Sequence, residues 1–146
     1  METLTTLSLI TQLPTIHETI GVFYQTFEKV LNHRHSSYIK KQLFELDIQS
    51  VINSIELVIT HENTIINENK ILFLCTERIK QTIHEIHLIL EKIQFKMEKY
   101  ETDWLWFLWG FDLSCELQQL ESKKNILEKR IDNFINMYLL TKKINI

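Results

Sequence analysis

Apolar residues recur along most of this chain at alternating spacings of three and four, the period of a helix that buries one face. The two longest stripes run from Lys70 to Thr102 and from Asp112 to Leu140. Lys124 interrupts the second stripe, at a position where a lysine can bury its carbon chain and keep its amine in water. The apolar members are Leu72, Ile79, Ile83, Ile86, Leu90, Ile93, Met97 and Tyr100 in one stripe, and Leu113, Leu117, Leu120, Leu127, Ile131, Phe134 and Tyr138 in the other. Each stripe predicts one long helix.

The N-terminal half carries two further stripes. Pro14 either follows a short lead-in helix that ends near Leu13 or lies in the first turn of a main helix that begins at Thr15. The members are Leu13, Ile16, Ile20, Phe23, Phe27 and Val30 in the first helix, and Ile39, Leu43, Leu46 and then, after a small drift, Val51, Ile55 and Val58 in the second. The four stripes predict an all-α fold, a single antiparallel bundle of four long helices in one domain that spans residues 1–146.

Helix boundaries follow from local chemistry. Ser36 or Ser37 can cap the second helix, Asn69 the third and Asp112 the fourth, and the stretch from His61 to Glu68 is expected to connect the second and third helices. One proline and two glycines in 146 residues leave too little turn chemistry for a β-rich fold.

Composition excludes several classes of function. A net charge of −3 gives no electrostatic basis for nucleic-acid binding. Cys75 and Cys115 have no metal-ligand spacing and are too few for a disulfide framework, so we expect them to be reduced. The N-terminus lacks the pattern of a signal peptide, and no apolar run reaches the roughly 18–20 residues of a membrane span. These features favour a cytoplasmic protein.

Catalytic and metal chemistry have weak support. The segment from His84 to His87 places its histidines three apart, whereas zinc proteases use His-Glu-x-x-His, and the Glu-x-x-His pairs of di-iron bundles are missing. Both histidines fall on the polar side of their helix, so we expect solvated surface residues. Cys115 lies near a helix start but far from any histidine in sequence, and no glycine-rich loop exists to hold phosphate. We therefore expect no enzyme activity, metal, cofactor or small-molecule substrate.

All three tryptophans lie in an aromatic segment between Asp103 and Asp112. Helical spacing places Trp104, Leu108 and Phe111 on one face, with Leu105 and Trp109 beside them. Anchoring of the core is the favoured interpretation for most of these rings. Trp106 and Phe107 project elsewhere, and they are the candidates for contact with a protein partner.

Two other segments are candidates for contact with a membrane. The stretch from Thr3 to Ile16 is uncharged apart from its flanks and contains Leu4, Leu7, Leu9, Ile10 and Leu13, although it lacks the basic face of an interfacial helix. Arg34, Lys40 and Lys41, with His33 and His35 nearby, form a basic group. Such a group is ordinarily solvated surface, and the alternative is contact with anionic lipid head groups.

In the order of its segments the chain resembles the N-terminal helical domains of fungal NLR-like (STAND) proteins and of HeLo and HeLo-like cell-death proteins, which are related in architecture to the four-helix executioner domain of the MLKL pseudokinase. The resemblance is carried by the apolar helix from Leu9 to Leu31, the segment Ile39 to Leu46 continuing to Val51–Leu57, the run from Leu72 to Cys75, the aromatic join from Trp106 to Asp112, and the Leu-x-x-Leu-Glu-x-x-Lys pattern that begins at Leu117. In these families the aromatic join tends to have basic flanks, whereas here Asp103 and Asp112 flank it.

The resemblance implies a regulated, non-catalytic domain that transmits a cell-death or innate-immune signal. In some members an N-terminal helix is released and disrupts the plasma membrane, which here predicts that the apolar residues from Leu4 to Leu13 enter anionic lipid. The alternative is an adaptor bundle without membrane activity. It would bind a protein partner or a second copy by coiled-coil-like packing of an exposed stripe, or through Trp106 and Phe107.

Overall fold

The computed structural model describes residues 14–34, 36–102 and 112–144, and these residues form helices and no strand. The helices are α1 (Ile16–Leu31), α2 (Ser37–Leu46), α3 (Ile48–His61), α4 (Asn63–Glu68), α5 (Lys70–Thr102) and α6 (Ser114–Ile144). The all-α prediction is confirmed for this part of the chain. The helix expected before Pro14 lies outside the described residues.

α5 makes the most extensive contacts with other helices. It packs along α1 on one side and along α6 on the other, and α4 lies against its start. The predicted stripe of α5 is buried from Leu72 to Met97, and only Tyr100 at its end is partly exposed. Full burial of one such leucine or isoleucine side chain contributes roughly 1.5–3 kcal/mol. The apolar stripe therefore stabilises the fold, as the sequence predicted.

α5 and α6 run antiparallel, and polar contacts join them along their whole length. As the residue number rises along α5, the number of its partner on α6 falls, which fixes the direction. From one end to the other, these pairs are Asn69 with Thr141, Cys75 with Asn133, Thr82 with Arg130, Glu85 with Lys123, and Glu116 with Lys96. Lys124, which interrupts the stripe of α6, is largely buried and places its amine 3.5 Å from Glu128.

The second predicted helix is wrong as a continuous element, because Asp47 breaks it into α2 and α3. Asp47 has a φ of 55°, in the left-handed region that ends a helix. The break resets the helical phase. The fully buried positions of α3 are consequently Ile48, Ile52, Ile55 and Ile59, whereas the predicted Val51 and Val58 are only partly buried.

α1 begins one residue beyond Thr15, whose hydroxyl accepts a hydrogen bond from the Glu18 amide at 3.1 Å. Pro14 therefore precedes the cap, and its predicted place in the first turn is wrong. The expected connection from His61 to Glu68 contains the short helix α4. These residues are helical because the apolar Ile66 buries itself against the core.

The other predicted caps have mixed outcomes. The Asn69 side chain accepts from the amides of Ile71 and Leu72 at 2.9 and 3.2 Å, and Asp112 accepts from the Ser114 amide at 2.9 Å. The pKa of the exposed Asp112 carboxyl is lowered, mainly by this hydrogen bond from the Ser114 amide and secondly by one from the Ser114 side chain. Ser36 stands at the cap of α2, but its hydroxyl donates to the Leu31 carbonyl at 2.8 Å instead.

The left-handed turn between α2 and α3 predicts opposite effects for two substitutions at Asp47. Its side chain is exposed and makes no capping hydrogen bond, so Asp47→Gly loses no such bond. Glycine removes the steric cost of the left-handed backbone. Part of this gain is lost because glycine raises the conformational entropy of the unfolded state, so we expect a net stabilisation of about 0.5 kcal/mol. Asp47→Val should destabilise by about 1–2 kcal/mol. Urea unfolding measures both changes. As a control, Asp132→Gly in the middle of α6 should lower the free energy of unfolding by about 0.5–1 kcal/mol, because glycine is unfavourable within a helix.

The packing of α6 on α5 predicts a large difference between two leucines on α6. Leu127 is fully buried, and we expect Leu127→Ala to lower the free energy of unfolding by about 2–5 kcal/mol. Leu139 on the same helix is half-exposed, and Leu139→Ala should change it by no more than about 0.5 kcal/mol. Equal losses in chemical denaturation would contradict the orientation of α6.

Candidate functional site

Large apolar side chains are exposed together at one end of the molecule. Near the start of α5, Ile71, Phe73 and Leu74 are 58%, 46% and 58% exposed, and near the end of α6, Leu139 and Leu140 are each 51% exposed. These five residues are called the apolar end. The sequence from Ile71 to Cys75 is apolar all round the helix, although only Leu72 and Cys75 face the core there. Grouped exposure of this kind marks surfaces that contact other molecules.

The first of two grooves at the apolar end lies between α4, α5 and α6. We call it the Leu140 groove, and it has a volume of about 460 Å³. Its apolar lining comes from Ile65, Ile71, Met137 and Leu140, and its polar lining from Glu68, Asn69 and Thr141. Exposed residues of two helices thus converge on one concave surface.

The second groove lies on the opposite side of α4, where α1 begins and α3 ends. We call it the Pro14 groove, and it has a volume of about 570 Å³. Ile16, Ile59, Ile66 and Phe73 give it an apolar lining. At its rim, the Lys80 amine donates to the Pro14 carbonyl at 3.1 Å and lies 2.7 Å from the Glu77 carboxylate.

Charged residues of both signs border the apolar end. Lys70, Lys142 and Lys143 are exposed at the start of α5 and the end of α6, and Glu68 is exposed at the end of α4. The Lys142 amine lies 4.9 Å from the centre of the Tyr138 ring. A hydrogen bond that the Lys142 ammonium donates to the Tyr138 side chain is the largest cause of a raised pKa for Lys142.

The structure does not bring the predicted basic group to the apolar end. Arg34 follows the last turn of α1, while Pro14 precedes the first, and this helix of 16 residues is about 24 Å long. Lys40 and Lys41 are exposed on α2, where the Lys41 amine lies 4.0 Å from Glu45. The other predicted contact residues, Leu4, Leu7, Leu9, Ile10, Leu13, Trp106 and Phe107, lie outside the described residues.

The prediction that both histidines of α5 are solvated is wrong for His87. His84 is exposed, but His87 is buried with its Nε2 2.9 Å from the Glu91 carboxylate. Ile83 and Lys80 lie on the same side of α5 as His87, and the Lys80 amine reaches the Pro14 carbonyl just before α1. Within residues 14–34, 36–102 and 112–144, no group of three His, Cys, Asp or Glu side chains could hold a metal ion.

Among the described residues, the two thiols and one buried carboxylate have no partners that would indicate catalysis. Cys75 is a buried free thiol and Cys115 an exposed one, and the side-chain neighbour of the Cys115 sulfur is the Gln119 amide at 3.8 Å, which is not a base. The Glu116 carboxylate is buried and lies 2.5 Å from the Lys96 amine. This pair joins the end of α5 to the start of α6.

Sequence reasoning missed the apolar end as a site. The signal was present in the unbroken run Ile-Leu-Phe-Leu-Cys from Ile71 to Cys75, which exceeds what one buried stripe requires.

In the part of the chain that the structure describes, no helix is both long enough and apolar enough to cross a membrane.

The comparisons with known proteins leave the chain without an assigned family. No protein-family model, no curated protein and no solved structure matches it. The resemblance to HeLo-like domains therefore depends on the residues quoted for it alone.

Proposed function

We propose that this chain is a non-catalytic helical signalling domain of the HeLo-like kind, and that the apolar end is the surface through which it binds. The single observation that carries the proposal is the shared exposure of Ile71, Phe73, Leu74, Leu139 and Leu140. On the same two helices, Leu72 and Leu127 are fully buried, so the five exposed side chains lie away from the centre of the core. Their grouping supports a role in contact with another molecule.

The packing of the long helices supports a four-helix bundle within this proposal. The Pro14 groove gathers the start of α1, the end of α3 and the start of α5, and the Leu140 groove gathers the start of α5 and the end of α6. In the proposed bundle, α1, α3, α5 and α6 alternate in direction, and α2 and α4 are short additions. This is the architecture that the resemblance implies.

The strength of the contact can be bounded from the exposed area. Burying the exposed half of five large apolar side chains contributes roughly 4–7 kcal/mol, at about half the value for full burial of each. Association costs several kcal/mol in lost translational and rotational freedom, so this figure is the gross apolar contribution and an upper bound on the binding free energy from these side chains. Such a surface suits a reversible contact, strengthened when several copies act together.

The concave Leu140 groove favours a helical protein partner or a second copy as the bound molecule, since a groove accepts the side chains of another helix. A membrane-active effector is the second candidate function. It is favoured by Lys70, Lys142 and Lys143, which lie beside exposed apolar residues and suit anionic head groups. In that case the protein would be cytoplasmic and peripheral at the plasma membrane.

The proposal predicts different effects for two leucines on the outer side of α5. Leu74 belongs to the apolar end, whereas Leu88 is 42% exposed about 21 Å further along the helix. Leu74→Glu should weaken binding at least tenfold, or about 1.4 kcal/mol, because the carboxylate must be desolvated in the contact. Leu88→Glu should leave binding unchanged, and neither substitution should alter the helical signal.

Two measurements on the full chain test this prediction. Light scattering across a concentration series reports self-association, and dye release from neutral and anionic vesicles reports membrane contact. Self-association that only Leu74→Glu weakens supports the adaptor, and leakage restricted to anionic vesicles and lost in Leu74→Glu supports the effector. A wild-type chain that stays monomeric contradicts the self-associating adaptor, and one that leaves both kinds of vesicle intact contradicts the effector.

A further inference from the structure

The start of the described chain is fixed at the rim of the Pro14 groove. Thr15 caps α1 in an extended conformation, with φ −71° and ψ 165°. The Pro14 carbonyl accepts a hydrogen bond from Lys80, whose side chain is only 15% exposed. The Thr15 cap and the Lys80 hydrogen bond fix the backbone at Pro14 and Thr15. The chain before Pro14 is therefore attached at a defined place beside the groove.

The lining of the Pro14 groove suits an apolar occupant. Ile16, Ile59 and Ile66 contribute buried side chains, and Phe73 contributes an aromatic ring that is nearly half-exposed. The nearby charges of Lys80 and Glu77 already pair with each other. An occupant therefore gains most by covering the exposed part of Phe73, since the isoleucines are already buried, and an added charge would face no free partner among Lys80 and Glu77.

The ten residues directly before Pro14 have the matching composition. Residues 4–13 contain Leu4, Leu7, Leu9, Ile10 and Leu13, and their other members are Thr, Ser and Gln. They contain no charged residue, in a chain of which 24% is charged. The segment is therefore apolar enough to occupy the groove, and it is attached at the groove's rim.

We propose that residues 4–13 dock in the Pro14 groove of their own chain and cover Phe73, so that part of the apolar end is hidden in the resting protein. The tether favours this occupant over a second copy. A segment attached next to its site meets it at an effective concentration on the order of millimolar. A second copy at micromolar concentration would need an affinity roughly a thousandfold higher to fill the groove equally.

Intramolecular cross-linking of the full chain tests the proposal. Asn67 is exposed on α4 and lines the Pro14 groove. Gln118 is exposed on α6 and lines a different groove beside α2. Ile10→Cys is combined with either Asn67→Cys or Gln118→Cys, each with Cys115→Ser to remove the exposed natural thiol. A short bis-maleimide should cross-link the Asn67→Cys pair about tenfold more than the Gln118→Cys pair, at a yield independent of protein concentration.

A second variant separates specific docking from mere nearness. Adding Leu7→Asp to the Asn67→Cys pair should lower its yield severalfold, because a charge must lose water in the groove, whereas Leu7→Met should preserve it. Equal yields for the two cysteine pairs, or a yield that Leu7→Asp leaves unchanged, would overturn the proposal. A cross-linked dimer that increases with concentration would overturn it too, and would identify a second copy as the occupant.

The outcome is independent of the proposed function, because the cross-linking needs neither vesicles nor a partner. A high yield in the Asn67→Cys pair together with intact vesicles and a monomeric chain supports docking and contradicts self-association and membrane contact, the two forms of the contact function that these measurements test. A low yield in that pair together with leakage or self-association contradicts docking and supports the contact function. Circular dichroism on each variant confirms that the helices are retained.

Discussion

The fold depends on burial along two sides of α5. The buried residues of α5 do not fit on a single face of the helix. Beside the buried stripe from Leu72 to Met97, Ile89 is buried on one side and His87 on the other. Two partners are therefore needed, and α1 and α6 supply them. Of the remaining helices, α4 also packs on α5, whereas α3 packs mainly against α1, α2, α4 and α6. The position of α3 therefore follows from how α1 and α6 pack on α5.

The polar pairs between α5 and α6 set register more than they add stability. Lys123 and Glu85 are each about one-third exposed, and an ion pair in such a position contributes roughly 0–1 kcal/mol. Arg130 adds geometry, since its guanidinium donates to both the Arg78 carbonyl and the Thr82 hydroxyl. The Lys96–Glu116 pair differs because the carboxylate is buried, and loss of its partner would strand a charge in the interior. Apolar burial thus holds the helices together, and these pairs select one antiparallel alignment.

Much of the fold could be predicted from periodicity and capping residues, and the exceptions have local causes. α5 follows from its stripe and from Asn69, whose side chain binds two amides of the first turn. The break at Asp47 could not be predicted from the pattern, because apolar residues continue through it and only the phase changes. His87 was misplaced for a related reason: a helical wheel gives the polar side of one helix but not which neighbour covers it. Of the predicted contact residues, only Arg34, Lys40 and Lys41 fall in the described part of the chain, and they lie away from the apolar end.

The apolar end is best understood from what folding does not require. Ile71, Phe73 and Leu74 share one helical turn with Leu72, and that residue alone from this run is fully buried. Polar residues at the three exposed positions would leave the core of α5 intact, so their apolar character is not explained by stability. An exposed apolar surface also carries a risk of non-specific association, which covering part of it reduces. The fold places the start of α1 beside this surface, and an uncharged segment immediately precedes that start in the sequence. The exposed apolar surface therefore lies at the end of the molecule where the segment proposed to cover it is attached. A single chain can in this way form a contact surface that is only partly open in the resting state.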